Sequence, residues 1–116
     1  MAEKKITSVY DLLRSRFGVD VDAGENFPLS SVGTTAVVIA KNNPRRLSLV
    51  VINLSANTLY VRPQGIPTSS AGILLSPNGG SLSVSVDEDM HLASLEWQAV
   101  ASGAGSAIYV TGAQIG

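Results

Sequence analysis

Few side chains in this sequence could carry out chemistry, and the single histidine is the first to consider. His91 follows closely on the carboxylates of Asp87, Glu88 and Asp89. Nucleophilic catalysis needs a base beside the nucleophile, so a Ser–His–acid set could be built only on His91. A histidine-ligated metal centre needs several such ligands. We therefore expect a structural or exposed histidine in a protein that is not an enzyme.

The acidic residues near the N-terminus resemble a calcium-binding loop only in part. Asp20, Asp22 and Glu25 have the spacing of early ligands, but Gly24 comes one position too early and residues 27–31 supply no acid. A calcium loop of the EF-hand type needs the glycine at its sixth position and a bidentate acid at its twelfth. A solvated acidic linker is the better interpretation, and we expect no metal ion.

The glycine turns and the cysteine count argue against two further kinds of site. Neither Gly79-Gly80 nor the turn 103–105 is followed by the lysine of a phosphate-binding loop, and neither is expected to open a helix. The chain has no cysteine, so it cannot form a disulfide or a thiolate metal site. No cofactor is predicted.

The elements that would position any site are short and mostly extended. The chain of 116 residues is 45% hydrophobic but only 15% charged, whereas globular domains carry about 25% charged residues. Several short runs with period-two alternation, separated by Gly, Pro, Asn and Ser, predict an all-β domain. The predicted strands are 34–41, a hairpin over 45–61, 73–75, 81–86, 92–102 and 107–113, and residues 92–101 are also compatible with a helix.

The hairpin over residues 45–61 is predicted to be the centre of the domain. Leu47, Leu49 and Val51 alternate with residues that are also largely apolar, as in a strand covered on both faces. The turn 53–57 is rich in Asn and Ser, which hydrogen-bond nearby backbone and favour turns. The predicted fold class is an antiparallel β-sandwich or jelly roll with a short N-terminal helix and an extended arm.

The N-terminal segment is predicted to form a separate arm, residues 1–28, ahead of a β domain over residues 29–116. Residues 7–18 carry a capping Thr or Ser, an acid in the first turn and Gly18 at the end, which is typical of a short helix. A helix this short is only marginally stable alone, so its apolar face must dock on its own domain or on a neighbour. The residues of that face are Val9, Leu12, Leu13 and Phe17.

The charge distribution is uneven, which agrees either with steering between subunits or with chance in a chain that has so few charges. Residues 1–62 hold all eight basic side chains and five of the acids, a net charge of +3, whereas residues 63–116 hold four acids and no base. Basic residues are too sparse for a nucleic-acid surface, and no apolar run is long enough to span a membrane. From His91 onward only Glu96 is charged, so these strands are expected either to form the core of the sandwich or to meet another subunit, as in the charge-depleted centre of an interface. Trp97 and Tyr109 are predicted to pack as a cross-strand pair in the last hairpin, and the alternative is that Trp97 forms an exposed stacking platform for a carbohydrate.

A pattern within the β domain resembles that of small structural proteins of tailed bacteriophages. It consists of a basic residue opening a strand, here Arg46, then Asn53-Leu54-Ser55 and the strand Leu59-Tyr60-Val61. The run G-I-L-L-S-P-N-G-G at residues 72–80 and an aromatic-containing terminal hairpin, residues 97–110, complete it. The N-terminal arm lies outside the resemblance.

This resemblance implies a virion protein: a capsid cement or decoration protein, or a head-fibre or tail module. Such proteins bind the major capsid protein or another virion protein, often as dimers or trimers, and the alternative is a receptor- or carbohydrate-binding module of a fibre or tail. Assembly would take place in the host cytoplasm and the protein would reside in the virion. The candidate interface residues are Val9, Leu12, Leu13, Phe17, Arg45, Arg46, Trp97 and Tyr109.

Overall fold

Two antiparallel sheets packed against each other make up most of the computed structural model, which describes residues 8–22 and 24–116. The expectation of a mainly β, antiparallel protein is therefore confirmed. The elements, in chain order, are α1 (Val9–Phe17), β1 (Val21–Asp22), β2 (Ser31–Val32), β3 (Val37–Ala40), β4 (Arg46–Asn53), β5 (Leu59–Pro63), β6 (Ile73–Leu75), β7 (Ser81–Ser85), α2 (Val86–Asp89), a 3₁₀ helix (Met90–Ser94), β8 (Trp97–Ala101) and β9 (Ser106–Ile115).

Strand β9 organises the first sheet, whose order is β1-β9-β4-β7. On the side of β9 that faces away from β4, two short strands pair with its two ends. Val21 of β1 lies opposite Ile115, and Ser31 of β2 lies opposite Ala107. The second sheet has the order β3-β8-β5-β6. Strands that are neighbours in a sheet are thus mostly distant in the chain.

The core lies between the two sheets and is filled by alternate residues of their strands. Leu49 and Val51 of β4 are fully buried, as are Leu59 and Val61 of β5 on the opposite sheet. Burying such a side chain contributes about 1.5–3 kcal/mol. Trp97, 1% exposed, is the largest fully buried side chain. Its indole Nε1 donates to the Leu92 carbonyl at 3.0 Å, so burial leaves no unpaired donor.

The predicted central hairpin is wrong in its pairing. Strands β4 and β5 lie in different sheets, because the loop 54–58 crosses from the first sheet to the second. The same holds for β8 and β9, so Trp97 and Tyr109 do not form a cross-strand pair. Alternation of apolar residues specifies which face of a strand is buried, and it does not specify the neighbouring strand.

Several element boundaries also differ from the sequence prediction. The run 92–102 begins with the end of the 3₁₀ helix and becomes extended only at Trp97. The predicted strand 81–86 ends at Ser85, whose hydroxyl accepts the amide hydrogen of Glu88 and caps α2. Val86 is therefore helical and 41% exposed rather than directed into the core.

Helix α1 begins and ends with capping hydrogen bonds. The Ser8 hydroxyl accepts the amide hydrogen of Asp11 at 3.1 Å. Gly18 adopts φ 72°, which favours glycine, and its amide donates to the Arg14 carbonyl at 2.8 Å. Within residues 8–22 and 24–116, no helix is long and apolar enough to cross a membrane.

Gly112 allows β4 and β9 to approach closely. A substitution at this position therefore tests the register in which the two strands pair. A Cβ added there would collide with the carbonyl oxygen of Ser48, whereas one added at Gly33 would meet no atom within 4 Å. We expect Gly112→Ala to lower the free energy of unfolding by about 2 kcal/mol, the scale of overpacking in a close-packed interior. Gly33→Ala is the matched control and should change it by less than about 0.5 kcal/mol. Urea denaturation of both variants measures the difference, and equal stabilities would contradict the register.

Candidate functional site

A buried arginine connects the segment after β1 to both sheets. Arg46, 2% exposed, binds the Glu25 carboxylate through Nε at 2.8 Å and through Nη2 at 2.5 Å. Its remaining donors bind the carbonyl oxygens of Lys41 at 2.6 Å, Ala93 at 3.2 Å and Leu95 at 3.0 Å. All five guanidinium N–H groups therefore have an acceptor, which is what makes burial of this charge tolerable.

The environment of Glu25 keeps it ionised opposite this arginine. Partial burial alone would raise the pKa of Glu25, but hydrogen bonding and charge from Arg46, with a contribution from Asn43, together hold the pKa below its ordinary value. The Phe27 ring lies 5.6 Å from the Arg46 guanidinium carbon, on the same segment as Glu25. Arg46 thus holds the chain in place and presents no surface to a partner, which corrects its placement among the interface candidates.

The Arg46–Glu25 pair predicts a pH-dependent contribution to stability. Glu25→Gln leaves the buried arginine without its counter-charge, so we expect a loss of about 3 kcal/mol in the free energy of unfolding at neutral pH. Because the pKa of Glu25 is lowered in the folded state, its contribution is complete above the ordinary glutamate pKa of about 4.3 and is lost as pH falls through the lowered pKa. The gap between wild type and variant should therefore close in acid.

Denaturation of the wild type and of Glu25→Gln across this pH range measures that gap. Glu88→Gln, at an exposed position of α2, is the matched control and should leave stability nearly unchanged at every pH. A gap that stays constant down to the lowest pH would contradict an ionised Glu25 as the partner of Arg46.

The opposite end of the two sheets is built entirely from uncharged residues. Four loops meet there, residues 33–36, 54–58, 76–80 and 102–105, and each crosses from one sheet to the other. We call these loops the neutral end. The charged residues within the described ranges lie in α1, in the segment that follows it, and towards the other end of the sheets: Asp11, Arg14, Arg16, Asp20, Asp22, Glu25, Lys41, Arg45, Arg46, Arg62, Asp87, Glu88, Asp89 and Glu96.

The fully buried side chain of Asn53, at the end of β4, holds two of these loops together. Its Nδ2 donates to the carbonyl oxygens of Asn57 at 2.8 Å, Leu75 at 3.1 Å and Ser76 at 3.2 Å. Its Oδ1 accepts the backbone amide of Ser55 at 3.0 Å and the hydroxyl of the same residue at 2.7 Å. One amide group therefore connects the loop after β4 with the loop after β6.

A second set of hydrogen bonds connects the remaining loops. The side-chain amide of Asn57 donates to the buried Ser106 hydroxyl at 2.9 Å, and that hydroxyl donates to the Gly103 carbonyl at 2.8 Å. The amide of Ala101 donates to the Gly33 carbonyl at 2.9 Å. Hydrogen bonds thus connect all four loops of the neutral end, and a surface held in this way would lose little conformational entropy if it bound another molecule.

Two large side chains are exposed at or beside the neutral end. Leu54 is 55% exposed, and its amide donates to the Ala107 carbonyl at 3.0 Å. Tyr109 is 52% exposed on the outer face of the first sheet, two positions beyond Ala107. Two features of this surface, an exposed Tyr and the absence of charged residues, are typical of the centres of protein interfaces.

The matched pair Asn53→Asp and Asn78→Asp tests whether the hydrogen bonds of the Asn53 side chain hold these loops together. Asp at position 53 places an acceptor and a buried negative charge among three carbonyl oxygens, so we expect it to cost more than about 3 kcal/mol of unfolding free energy. Asn78 is exposed, and its φ of 59° is tolerated by Asp, so its substitution should cost less than about 1 kcal/mol. Urea denaturation compares them, and similar losses would contradict the assigned network.

The candidate interface residues do not converge on one site. Trp97 lies in the core and offers no surface, which corrects the expectation for that residue. Arg45 is exposed beside the end of β9, where its Nη2 donates to the Ile115 carbonyl at 2.6 Å. Val9 and Leu12 of α1 are 68% and 50% exposed. The side chains of the two remaining candidates lie outside the described part of the structure: Leu13 and Phe17.

The residues considered for chemistry remain dispersed. His91 is exposed in the 3₁₀ helix, and the acidic run 87–89 belongs to α2. Within residues 8–22 and 24–116, no three His, Asp or Glu side chains are grouped so that they could hold a metal ion.

Comparisons of this chain with protein-family models, with curated proteins and with solved structures found no match.

Proposed function

We propose that this chain is a non-enzymatic virion structural protein, a capsid cement or decoration protein that binds the assembled shell of the major capsid protein through its neutral end. The observation that carries the proposal is the neutral end itself, four uncharged loops held by the buried side chains of Asn53 and Ser106. The resemblance of residues 46–110 to phage structural proteins supplies the class of partner.

We further infer that the two sheets form a jelly roll. In an eight-stranded jelly roll, two Greek keys place the strands alternately in two sheets, and viral capsid domains often use this arrangement. The orders β2-β9-β4-β7 and β3-β8-β5-β6 agree with that pattern when β1 and β2 are counted as one interrupted edge strand. The crossing loops then gather at the ends of the barrel, which is why four of them form one surface.

The mechanism of such a protein is selective binding. A ligand that binds the assembled shell and not its separated subunits stabilises the shell by an amount that grows with concentration over affinity. An uncharged contact surface has no ion pairs to be screened, so binding through the neutral end is expected to change little with salt. We expect the side chains of Leu54 and Tyr109 to become buried when the protein binds the shell.

The alternative function, a receptor- or carbohydrate-binding module, requires an exposed aromatic platform. Trp97, the residue considered for this role, is buried, and the loops of the neutral end contain no aromatic residue. Tyr109, which lies opposite Ile52 near these loops, is 52% exposed. The burial of Trp97 and the absence of aromatic residues from these loops favour shell binding, and the exposed Tyr109 is the one feature here that agrees with glycan binding.

Co-sedimentation of the purified protein with shells of the virus that encodes it, assembled without it, tests the proposal. We expect saturable binding at both about 0.1 M and about 1 M NaCl, and a higher temperature of shell disruption. Leu54→Asp places a charge in the contact and should weaken binding by about tenfold or more, a loss of about 1.4 kcal/mol. Tyr109→Ala should weaken it in the same direction.

Ile66→Asp is the matched control, because Ile66 is 64% exposed in the loop between β5 and β6, away from the neutral end. It should leave binding unchanged. Equal losses for Leu54→Asp and Ile66→Asp would contradict the neutral end as the contact surface. No binding of the wild type to shells, together with binding to a glycan array, would replace the proposed function by the alternative.

A further inference from the structure

The loop between β6 and β7 contains an asparagine followed by a glycine, Asn78-Gly79. The sequence has six asparagines, and the other five precede Phe, Asn, Pro, Leu or Thr. Glycine has no Cβ to hinder its backbone nitrogen, so this nitrogen can approach the side-chain Cγ of the preceding asparagine. Of the asparagines in this chain, Asn78 is therefore the one whose side chain is most easily deamidated.

Deamidation at this pair needs no reactant other than water. The backbone nitrogen of Gly79 gives its proton to solvent and forms a bond to Cγ of Asn78. The bond from Cγ to the side-chain nitrogen breaks, and ammonia leaves with a proton from solvent. Water then opens the resulting five-membered succinimide. Cleavage between the nitrogen and Cγ yields aspartate, and cleavage between the nitrogen and the main-chain carbonyl carbon yields isoaspartate.

The conformation of this turn explains why it contains the reactive pair. Asn78 has φ 59° and Gly79 has φ 116°, a left-handed region that Asn and Gly adopt more readily than other residues. Both residues are exposed, and a Cβ placed on Gly79 would meet no atom within 4 Å. Water therefore reaches the side-chain amide of Asn78, and the turn requires the two residue types that make this position reactive.

Hydrogen bonds oppose the reaction in the folded protein. The Gly79 amide donates to the Asn53 carbonyl at 2.7 Å, and the Asn78 amide donates to the Ser55 carbonyl at 2.8 Å. The Asn53 side chain also binds the Ser76 carbonyl, at the start of the same loop, at 3.2 Å. The Gly79 nitrogen can lose its proton and turn towards Cγ only after the loop has detached from Asn53. Such local opening has a free energy of its own, which does not exceed that of global unfolding.

We propose that Asn78 is a deamidation site that is closed while the loop 76–80 is bound to the end of β4 and that reacts when this loop opens. Either product replaces a neutral amide of the neutral end by a carboxylate. Isoaspartate in addition lengthens the main chain by one carbon between the two amides that bind Ser55 and Asn53.

The consequence for binding rests on the proposed function. A carboxylate in an uncharged contact weakens binding, because it loses water without gaining a counter-charge. A shell that binds the closed loop also opposes its opening, since a ligand stabilises the form to which it binds. Free protein therefore loses its affinity for the shell with time, whereas bound protein keeps it.

Peptide mapping by mass spectrometry tests the site on the full chain, incubated in mildly alkaline buffer with and without guanidinium chloride. In the denaturant we expect Asn78 to lose ammonia faster than each of the other five asparagines. In buffer alone the reaction at Asn78 should be slower by about tenfold or more, because the loop is closed most of the time. A faster reaction at another asparagine in denaturant would overturn the site, and equal rates at Asn78 in the two solutions would overturn its closure.

Hydrogen exchange of the wild type in the same buffer measures the opening independently. The opening that frees the Gly79 amide for exchange also frees its nitrogen for attack. The folded structure should therefore slow exchange at Gly79 and deamidation at Asn78 by a similar factor. Unprotected exchange at Gly79 together with slow deamidation would overturn the role assigned to its hydrogen bond with Asn53.

Co-sedimentation with shells tests the consequence for binding. Asn78→Asp carries the charge of the product, and Asn78→Gly is the matched variant that stays uncharged and suits the φ of 59°. We expect Asn78→Asp to bind about tenfold more weakly than Asn78→Gly, and equal affinities would overturn the effect on binding. Failure of the wild type to bind shells would contradict the proposed function and this effect together, whereas the peptide maps decide the deamidation site in either case.

Discussion

The structure depends on one charge that has been taken out of water. The Arg46 guanidinium is buried where the second sheet, the segment after β1 and the 3₁₀ helix meet, and each of these supplies an acceptor. Removing such a charge from water costs several kcal/mol, which is offset only when every donor is bound and a counter-charge is present. The position of Glu25, and with it the path of the chain from β1 to β2, follows from this requirement.

Polar groups are buried at both ends of the domain, with opposite consequences for its surface. Near Arg46 the buried group is ionic, and charged residues surround it. At the neutral end the buried groups are the Asn53 amide and the Ser106 hydroxyl, which satisfy backbone carbonyls and leave no charge outside. A carbonyl-rich turn region can be held by a neutral amide at modest cost, because an amide donates and accepts without the desolvation cost of an ion.

The sequence was sufficient to predict local features and insufficient for those that depend on pairing. The alternation in residues 81–86 indicated that Val84 is buried, as it is, but the Ser85 cap that turns Val86 outward was missed. The pairing of β4 with β5 was wrong because consecutive strands here cross between sheets. Arg46 and Glu25 are 21 positions apart with no motif linking them. The neutral end consists of four uncharged stretches visible in the sequence, and only the topology brings them together.

The pairing of β9 along its full length has a consequence for the order in which the protein can form during synthesis. Val21 finds its partner in Ile115, and Arg46 in Gln114, so the first sheet joins segments from opposite ends of the described chain. Contacts of such long sequence separation form slowly, since the loop entropy is lost before the contacts are gained. On the ribosome, β1 and β2 must remain without a sheet partner until β9 has emerged, whereas β4 can pair with β7 earlier and lacks only its β9 neighbour.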